Sequence, residues 1–524
     1  MNNARLLLQG KCIKKALLYS MAFLCFPKLF FQKSLDSNGW VVYSCNMKKS
    51  SINLGEEEHM KIGFGVADIT PAGKVALQGQ FNVRIADGIH SRLYTTAMAV
   101  ETEGKVTVWA SVDLLHIMPP VPEMAAERIS RVLPGFTKDD LAVSATHTHT
   151  APYVGREQEC MLCSFKAEEK LYNDLTTPEE YAELVADKIA EAALSAVSSM
   201  EECYTEVAVS RMTTSYSRRT VYKDGHAVMY GSTHEDDFLR MENHDSGPSS
   251  FLYAWRLSDG ELVGILANVP CPAQIIENQC VVSSDFWGYA RDYIKTHLGN
   301  VPLLPITGSA GDLSPRDLLV TIPGEKSMWD EEGCRDLGEK IAREIIRLKD
   351  APLYRHSGEA YHMVKHVPLP IWNPTDEEFE KAQADMAGFM KKYGKKDGEI
   401  IIFEETDGTD VFELCSADTI IGRQKRGRVT VDGSVHLLRL GNAVLLSNPF
   451  ELFVEYADRI KAACPDAHIF DVQMTDDDLN YLPTPWAMKA GGYSAVIFAC
   501  QCAADAGELL VRESINAVRE IMSK

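Results

Sequence analysis

Two histidines stand one residue apart in the segment SATHTHTAP, and imidazole is a side chain suited to both proton transfer and metal binding. The run LAV just before this segment is apolar and β-prone, which predicts that His147 and His149 lie at the end of a buried strand. In an extended chain, residues i and i+2 point to the same side, so we expect both imidazoles in one pocket and Thr146 and Thr148 on the opposite face. Two interpretations stay open at this point: a metal-binding pair, or hydrogen-bonded histidines at a strand edge.

Four further segments carry reactive side chains where predicted strands end, the place where α/β enzymes keep such groups. In ANVPCPAQ, Cys271 lies between two prolines that stiffen the loop, which suits a positioned thiolate but also a small buried residue. Glycines in ITGSAGDLSPR allow close approach of the backbone to a ligand. The segment ITGSAGDLSPR contains Asp312, Ser314 and Arg316. The segment LLSNPFELF contains Glu451, and NYLPTPWAMKAGGY contains Tyr481 and Tyr493.

The elements that must position these residues alternate between strands and helices from Met60 onward, which indicates an α/β fold of mixed β-sheets flanked by helices. One helix is well marked, because Thr177 is suited to its N-cap, Pro178 to its first position and Glu180 to a capping box. We predict further helices over 122–133, 334–349 and 506–522, a buried strand over 105–113, and a charged helical excursion with loops over 370–430. Residues 60–524 are expected to form a single catalytic domain.

The net charge and the cysteine content of the chain limit the partners and the compartment that we expect. The 524 residues carry a formal net charge of −21, which argues against nucleic acid and anionic membrane surfaces as partners because both are polyanions. The 13 cysteines are too few for a disulfide scaffold. Cys160 and Cys163 have the spacing of a zinc pair, but structural zinc needs four ligands, so free thiols in a reducing compartment are the favoured interpretation.

The first 59 residues are expected to lie outside the fold. Lys14 and Lys15 precede an apolar run that resembles a signal peptide, although no small-residue cleavage site follows and the run is too short to span a bilayer. Glycine and glutamate codons are purine-rich, so GEEEH just before Met60 could encode a ribosome-binding site upstream of the true start. On this interpretation the protein is cytoplasmic and a chain that begins at Met60 folds normally. A secreted or periplasmic protein is the alternative.

Taken in order, these motifs resemble one family, the neutral, non-lysosomal ceramidases and their bacterial relatives. The resemblance extends from about residue 60 to the C-terminus through GFGVADITP, GIHSRLYTTAMAVE, SATHTHTAP, SYSRRTVYKDG, SSDFWGYAR, GDLSP, NPFE and YLPTPWAMKAGGY. Ser217 stands where the family usually has asparagine. The succession of THTH, GDLSP and the tyrosine-rich loop is specific, and it implies a ceramidase-like catalytic domain.

The resemblance also implies zinc-dependent hydrolysis of an N-acyl (amide) bond. The family holds its Zn²⁺ with two histidines, a glutamate and a tyrosine, and three of these correspond to His147, Glu451 and Tyr481. The second histidine is missing, and Cys271 stands at or next to its place, so we expect the thiolate to be the fourth ligand. Alternatively, Cys271 replaces only a neighbouring cysteine of the family and the metal site is incomplete.

The remaining family positions suggest how the substrate is handled. By resemblance, Ser314, His149, Arg218 and Tyr493 are the catalytic residues, with His149 as a proton donor or substrate contact and Arg218 directed at a carbonyl or hydroxyl oxygen. The expected partner is a small-molecule or lipid amide, either ceramide or a smaller compound, and no integral membrane span is expected. The alternative function is that of a non-catalytic ligand-binding protein on a decayed ceramidase-like scaffold, which the missing histidine would explain.

Overall fold

The chain divides into two units, Met1–Glu57 and Glu58–Lys524. The computed structural model describes residues 31–35, 41–45 and 60–524, apart from 83, 155–173, 321–328, 397–398, 400, 402–405, 408–409 and 428. In the first unit, the strands Phe31–Leu35 and Val41–Cys45 pair in antiparallel fashion. The proposed signal-like segment, the start-site segment before Met60 and the pair Cys160 and Cys163 lie outside the described residues, so those interpretations stay predictions.

A nine-stranded mixed sheet forms the centre of the second unit. Alternate residues of its strands face opposite sides, as the pleat requires: Ala97, Ala99 and Val108 pack with helices on one side, whereas Met98 and Trp109 pack on the other. Two of its pairings are parallel, and the others are antiparallel. Eight strands follow one another across the sheet as Leu303–Thr307, Leu262–Val269, Ser249–Arg256, Glu201–Ser210, Lys61–Asp68, Tyr94–Thr102, Lys105–Val112 and Leu141–Ala145, and Tyr354–His356 pairs with Glu201–Ser210.

A second sheet of four strands packs against the inner face of the first. Leu438, Leu445 and Phe470 of this sheet share one apolar core with Leu252 and Leu266 of the first. Its strands are Ala360–Lys365, Val435–Leu440, Ala443–Ser447 and His468–Val472. Short strands complete the unit: Ala76–Leu77, Arg84–Ile85, Gly88–Ile89, Tyr216–Ser217, Arg219–Tyr222, Ala227–Met229, Phe238–Met241, Val281–Val282, Leu313–Ser314, Pro368–Pro370, Thr430–Asp432, Glu451–Leu452 and Tyr481–Leu482.

Helices cover the outer faces of both sheets, so the layers run helix, sheet, sheet, helix, and the predicted α/β class with mixed sheets is confirmed. The predicted capping box is present, since the Thr177 side chain accepts from the Glu180 backbone N–H and Glu180 accepts from that of Thr177. The described helices are α1 Val121–Ser130, α2 Pro178–Ser198, α3 Phe286–Leu298, α4 Glu331–Leu348, α5 Asp376–Lys392, α6 Val411–Arg426, α7 Val454–Ala463, α8 Pro485–Ala490 and α9 Ala504–Met522.

The start of helix α4 differs from the sequence-based expectation, whereas the helical excursion over 370–430 agrees with it. Helix α4 begins at Glu331 rather than at 334, because the side chain of Asp330 accepts a hydrogen bond from the Gly333 backbone N–H and caps the helix earlier. The excursion predicted over 370–430 contains α5 and α6, which pack against each other. Within the described part of the chain, no helix combines the length and apolar character needed to cross a bilayer.

A buried carboxylate secures the strand that leads into the histidine pair. Asp476 accepts a hydrogen bond from the Val143 backbone N–H at 2.9 Å and forms ion pairs with Lys138 and His436, also at 2.9 Å. Burial works against ionisation, but Lys138 and His436 more than offset it and lower the pKa of Asp476 to about 2. The ionised carboxylate therefore stabilises the fold above its ordinary pKa, and this contribution is lost as the pH falls from about 4 to about 2.

We expect Asp476→Asn to lower the free energy of unfolding by about 2 kcal/mol at neutral pH. The difference between the variant and the wild type should shrink as the pH approaches 2, where the native carboxylate is protonated as well. Denaturant unfolding followed across this pH range measures the effect, with the exposed Asp139→Asn as the matched control. An equal loss of stability at all pH values would mean that the charge of Asp476 contributes nothing.

Candidate active site

The two histidines are brought together by a change in backbone direction that the sequence did not predict. The strand ends at Ala145, and His147 adopts a left-handed backbone conformation with φ = 61°, which is uncommon for a residue with a side chain. The rings of His147 and His149 are nevertheless neighbours, with centroids 4.9 Å apart and planes nearly perpendicular. The threonines point away as expected, since Thr146 donates to the Asp113 carboxylate and Thr148 to the Ser283 carbonyl. The expectation of an extended chain at His147 was wrong, and a turn brings the imidazoles together.

His147 is held in one tautomer and faces a carboxylate. Its Nδ1 donates to the Leu115 carbonyl oxygen at 2.8 Å, and its Nε2 lies 3.2 Å from Oε2 of Glu451. Burial opposes the imidazolium form, but Glu451 and the Leu115 carbonyl outweigh it and raise the pKa of His147. Burial likewise disfavours the Glu451 carboxylate, but His147 and Arg218 lower its pKa overall. The pair is therefore a buried, charge-coupled centre.

Arg218 and two tyrosines surround this centre. The short strands of Glu451 and Tyr481 pair in parallel with these two residues as register partners. Arg218 donates from one terminal nitrogen to the Tyr481 hydroxyl at 3.1 Å and to the Gly311 carbonyl at 2.8 Å. The ring of Tyr493 meets that of Tyr481 edge-on at 5.6 Å. Burial and the nearby Glu451 carboxylate raise the pKa of both phenols, so both are protonated at neutral pH.

The GDLSP motif holds the parts of the site together through its backbone and its aspartate. Gly311 packs so tightly on the Glu451 backbone that a Cβ atom there would lie 2.3 Å from the Glu451 carbonyl oxygen, which explains the need for glycine. Asp312 accepts from the Val454 backbone N–H just after Glu451, and its carbonyl accepts from the Arg218 backbone N–H. The motif thereby fixes the distance between the glutamate and the arginine.

The predicted catalytic role of Ser314 stays a prediction. Its side chain is fully buried, its oxygen accepts a hydrogen bond from the Arg316 backbone N–H at 3.2 Å, and its strand pairs with Tyr216–Ser217. The Arg316 guanidinium itself lies over the Trp329 ring at 6.0 Å.

Sequence analysis missed Glu277. Its Oε2 lies 3.1 Å from Nδ1 of His149, which also donates to the Gly79 carbonyl at 2.9 Å. The other ring nitrogen, Nε2, is buried and has no hydrogen-bond partner among the described residues. Burial lowers the pKa of His149 despite the carboxylate, which leaves Nε2 as a free base at neutral pH. One signal was available in the sequence, because Glu277 is an acidic residue just after the apolar Ile275–Ile276 of the cysteine loop.

We expect Glu277→Gln to lower kcat by about tenfold to a hundredfold with little change in KM. If His149 has its predicted catalytic role and accepts a proton at Nε2, the carboxylate would stabilise the resulting imidazolium, and glutamine would remove the charge while keeping the size. Steady-state kinetics checks the effect, with Glu277→Asp expected to recover part of kcat. A KM effect alone, or equal losses in both variants, would assign Glu277 a packing role.

The structure does not group Cys271 with His147 and Glu451. The side chain is fully buried in an apolar core with Val269 and Phe286, and its sulfur lies 3.5 Å from the Pro272 carbonyl oxygen. Burial, with a contribution from the Asp285 carboxylate, raises the pKa of the Cys271 thiol well above its ordinary value, which disfavours the thiolate that metals bind. The expected four-ligand set is therefore not assembled, because the proline-flanked loop turns the sulfur inward.

We expect Cys271→Ala to leave the metal content unchanged and to lower the free energy of unfolding by about 1–2 kcal/mol, the usual effect of removing a small buried group. Cys334→Ala in the same apolar core is the matched control. Metal analysis and denaturant unfolding of both proteins check this. Loss of zinc in Cys271→Ala, but not in Cys334→Ala, would restore the cysteine as a ligand.

Three potential metal donors lie together at the candidate site, His147, Glu451 and Tyr481. Over the described ranges, no three His, Cys, Asp and Glu side chains are grouped so that they could hold a metal ion, so a three-ligand metal site here would need the Tyr481 phenol. Nε2 of His147 and Oε2 of Glu451 lie 3.2 Å apart, so one ion could contact both atoms once Nε2 has lost its proton. Catalytic zinc sites commonly have three protein ligands and an open position, and three is the number of donors present.

No protein-family model matches the chain, but two curated proteins match parts of it. A segment is 33% identical over 96 residues to Neutral ceramidase of Drosophila melanogaster, and another is 29% identical over 113 residues to Neutral ceramidase A of Dictyostelium discoideum. These matches cover 18% and 20% of this chain, and only 14% and 15% of the two relatives.

The fold comparison extends much further along the chain. The crystal structure of neutral ceramidase from Pseudomonas aeruginosa matches with a TM-score of 0.61 and 18% identity over 88% of this chain and 75% of that one. A ceramidase complexed with C2 matches with the same TM-score, 0.61, at 17% identity. Identity at this level establishes the fold alone. The predicted resemblance to the neutral ceramidases and the ceramidase-like α/β fold are confirmed.

Proposed function

We propose that this chain, which has the fold of the neutral ceramidases, is a hydrolase that cleaves an N-acyl amide bond. The observation that carries the proposal is the buried cluster in which the His147–Glu451 pair lies beside two polar atoms without partners in the described structure, Nε2 of His149 and Nε of Arg218. Buried polar atoms normally have partners, so a substrate that supplies them accounts for this arrangement. The two curated relatives are ceramidases by name, which supports the same class of bond.

Each side chain at the candidate site has a separate role in the proposed hydrolysis of an amide. Nε of Arg218 donates a hydrogen bond to the carbonyl oxygen as negative charge develops there. Neutral His149 accepts a proton from the attacking water at Nε2 and delivers it to the leaving nitrogen, while Glu277 stabilises the transient imidazolium. The water oxygen bonds to the acyl carbon, the carbon–nitrogen bond breaks, and the products are a carboxylic acid and an amine.

We also propose that the reaction depends on zinc. His147, Glu451 and Tyr481 would hold the ion, and bound zinc would lower the pKa of a water molecule and polarise the substrate carbonyl. The carbonyl acceptor of His147 and the Arg218 contact to Tyr481 keep these side chains oriented.

Two measurements on purified protein test the proposal: zinc content, and release of free amine from a panel of N-acyl amides that includes ceramide. We expect about one zinc per chain, with hydrolysis lost on chelation and restored by added zinc. Active protein without any divalent metal would contradict zinc dependence. Zinc-loaded protein that binds an N-acyl amide and cleaves none of the panel would instead favour the non-catalytic ligand-binding alternative.

A further inference from the structure

Arg84 is a buried cation that the proposed reaction does not use. Arg84 is 5% exposed, and its hydrogen-bond acceptors among the described residues are all backbone carbonyl oxygens. Burial lowers the pKa of Arg84, because the charged form is costly away from water. A buried charge lowers the free energy of unfolding unless it is well paired, so stability alone does not explain an arginine at this position.

The guanidinium of Arg84 connects three segments that are far apart in the sequence. One terminal nitrogen donates to the carbonyl oxygens of Glu277 at 2.6 Å and Gln279 at 3.1 Å. The other terminal nitrogen donates to those of Gln78 at 2.7 Å and His149 at 2.6 Å. These four hydrogen bonds hold the chain around residues 78, 149 and 277 in fixed relative positions.

The same three segments determine the orientation of the His149 imidazole. Nδ1 of His149 donates to the carbonyl oxygen of Gly79, the neighbour of Gln78, at 2.9 Å, and it lies 3.1 Å from Oε2 of Glu277. Gly79 also packs closely on the histidine, since a Cβ atom there would lie 2.8 Å from the His149 Cβ atom. With both acceptors at Nδ1, the ring proton of neutral His149 stays on that nitrogen and Nε2 keeps its lone pair.

We propose that Arg84 is a positioning residue for His149, which holds the Gly79 and Glu277 acceptors at Nδ1 and thereby leaves the lone pair of Nε2 available to the substrate. The guanidinium acts through backbone carbonyls of the three segments rather than as a hydrogen-bond partner of the ring. The kinetic consequence of this role rests on the proposed function, in which His149 transfers a proton. The tautomer of His149 does not depend on the reaction and is measured without a substrate.

Substitution of Arg84 tests the guanidinium directly, because Arg84 pairs with Leu77 through main-chain atoms that every variant keeps. Arg84→Met removes all the donors, and Arg84→Gln retains one amide donor in case the first variant does not fold. Arg439→Met is the matched control, because Arg439 also donates to backbone carbonyls but lies in the second sheet. Its acceptors are the carbonyl oxygens of Gly441, Ile521 and Met522.

The first readout is the tautomer of the His149 ring. It is measured at neutral pH by NMR of full-length protein labelled with ¹⁵N in its histidine rings, and the signal is assigned from its absence in His149→Gln. We expect a single tautomer, with the proton on Nδ1, in the wild type and in Arg439→Met. Arg84→Met and Arg84→Gln should show both tautomers, because Nδ1 loses its fixed acceptors. A folded Arg84 variant with the single wild-type tautomer would overturn the proposal.

The second readout is steady-state hydrolysis of an N-acyl amide. We expect Arg84→Met to lower kcat by about tenfold to a hundredfold and to change KM by less than about twofold, since a displacement of about 1 Å at a reacting group can cost about 10²-fold. Arg439→Met should keep both constants. An equal loss of kcat in Arg439→Met would assign the effect to lowered stability and overturn the positioning role. If the wild type cleaves no amide, the proposed function fails while the tautomers still decide the role of Arg84.

Discussion

Replacing His147 with alanine is expected to lower kcat/KM by more than about 10³-fold and to abolish the proposed zinc binding, the largest effect that we predict. Nε2 of His147 is 3.2 Å from Glu451, and the ring is fixed by its hydrogen bond to the Leu115 carbonyl oxygen. The substitution also leaves the buried Glu451 carboxylate without its closest partner, which costs about 3–5 kcal/mol when one member of a buried pair is removed.

A control must therefore distinguish loss of chemistry from loss of fold. His362→Ala is suitable, because His362 is largely buried and neutral, with its pKa lowered to about 3 by burial and by His436, and lies in the second sheet. Zinc content, the denaturation midpoint and kcat/KM are measured for both proteins. If His147→Ala stays folded and keeps both zinc and activity, the assignment of this centre is wrong.

Replacing Arg218 with methionine is expected to lower kcat by about 10²–10³-fold, the range found when a donor to a developing oxyanion is removed. Methionine keeps much of the side-chain volume but removes the hydrogen bonds that Arg218 donates to Tyr481 and Gly311. It also removes Nε, which has no hydrogen-bond partner in the described part of the chain and is the proposed donor to the substrate. Arg218→Lys keeps the charge without the planar fork, so we expect only partial recovery.

Measuring kcat and KM separately distinguishes stabilisation of the transition state by Arg218 from substrate binding. Since the oxyanion exists only in the transition state, kcat and kcat/KM should fall together while zinc content stays near that of the wild type. Arg240→Met is the control, because Arg240 lies on the strand Phe238–Met241, which pairs with the strand that begins just after Arg218, but stacks on the Trp486 ring at 4.8 Å. An increase in KM with kcat unchanged would assign Arg218 to substrate binding alone.

Local features of the sequence determined much of the fold. The Thr177 capping box, the helical spacing of the C-terminal helix and the apolar runs of the central strands depend on residues close together in the chain, and their predicted elements are present. The ordered motifs indicated the ceramidase-like fold through their resemblance to the neutral ceramidases, which the fold comparison confirms.

The tertiary structure decided which side chains reach the site. Cys271 follows its strand as predicted, yet its sulfur packs among apolar side chains, since the direction of a side chain in a loop depends on distant residues such as Phe286. Glu277 and His149 are in contact although 128 positions separate them in the sequence. The periodicity of a helix or strand predicts nothing over such a separation. The left-handed backbone at His147 is likewise set by hydrogen bonds of its neighbours to Val112 and Leu114 on the adjacent chain segment. The sequence thus determined the elements, whereas long-range packing selected the residues that surround the candidate active site.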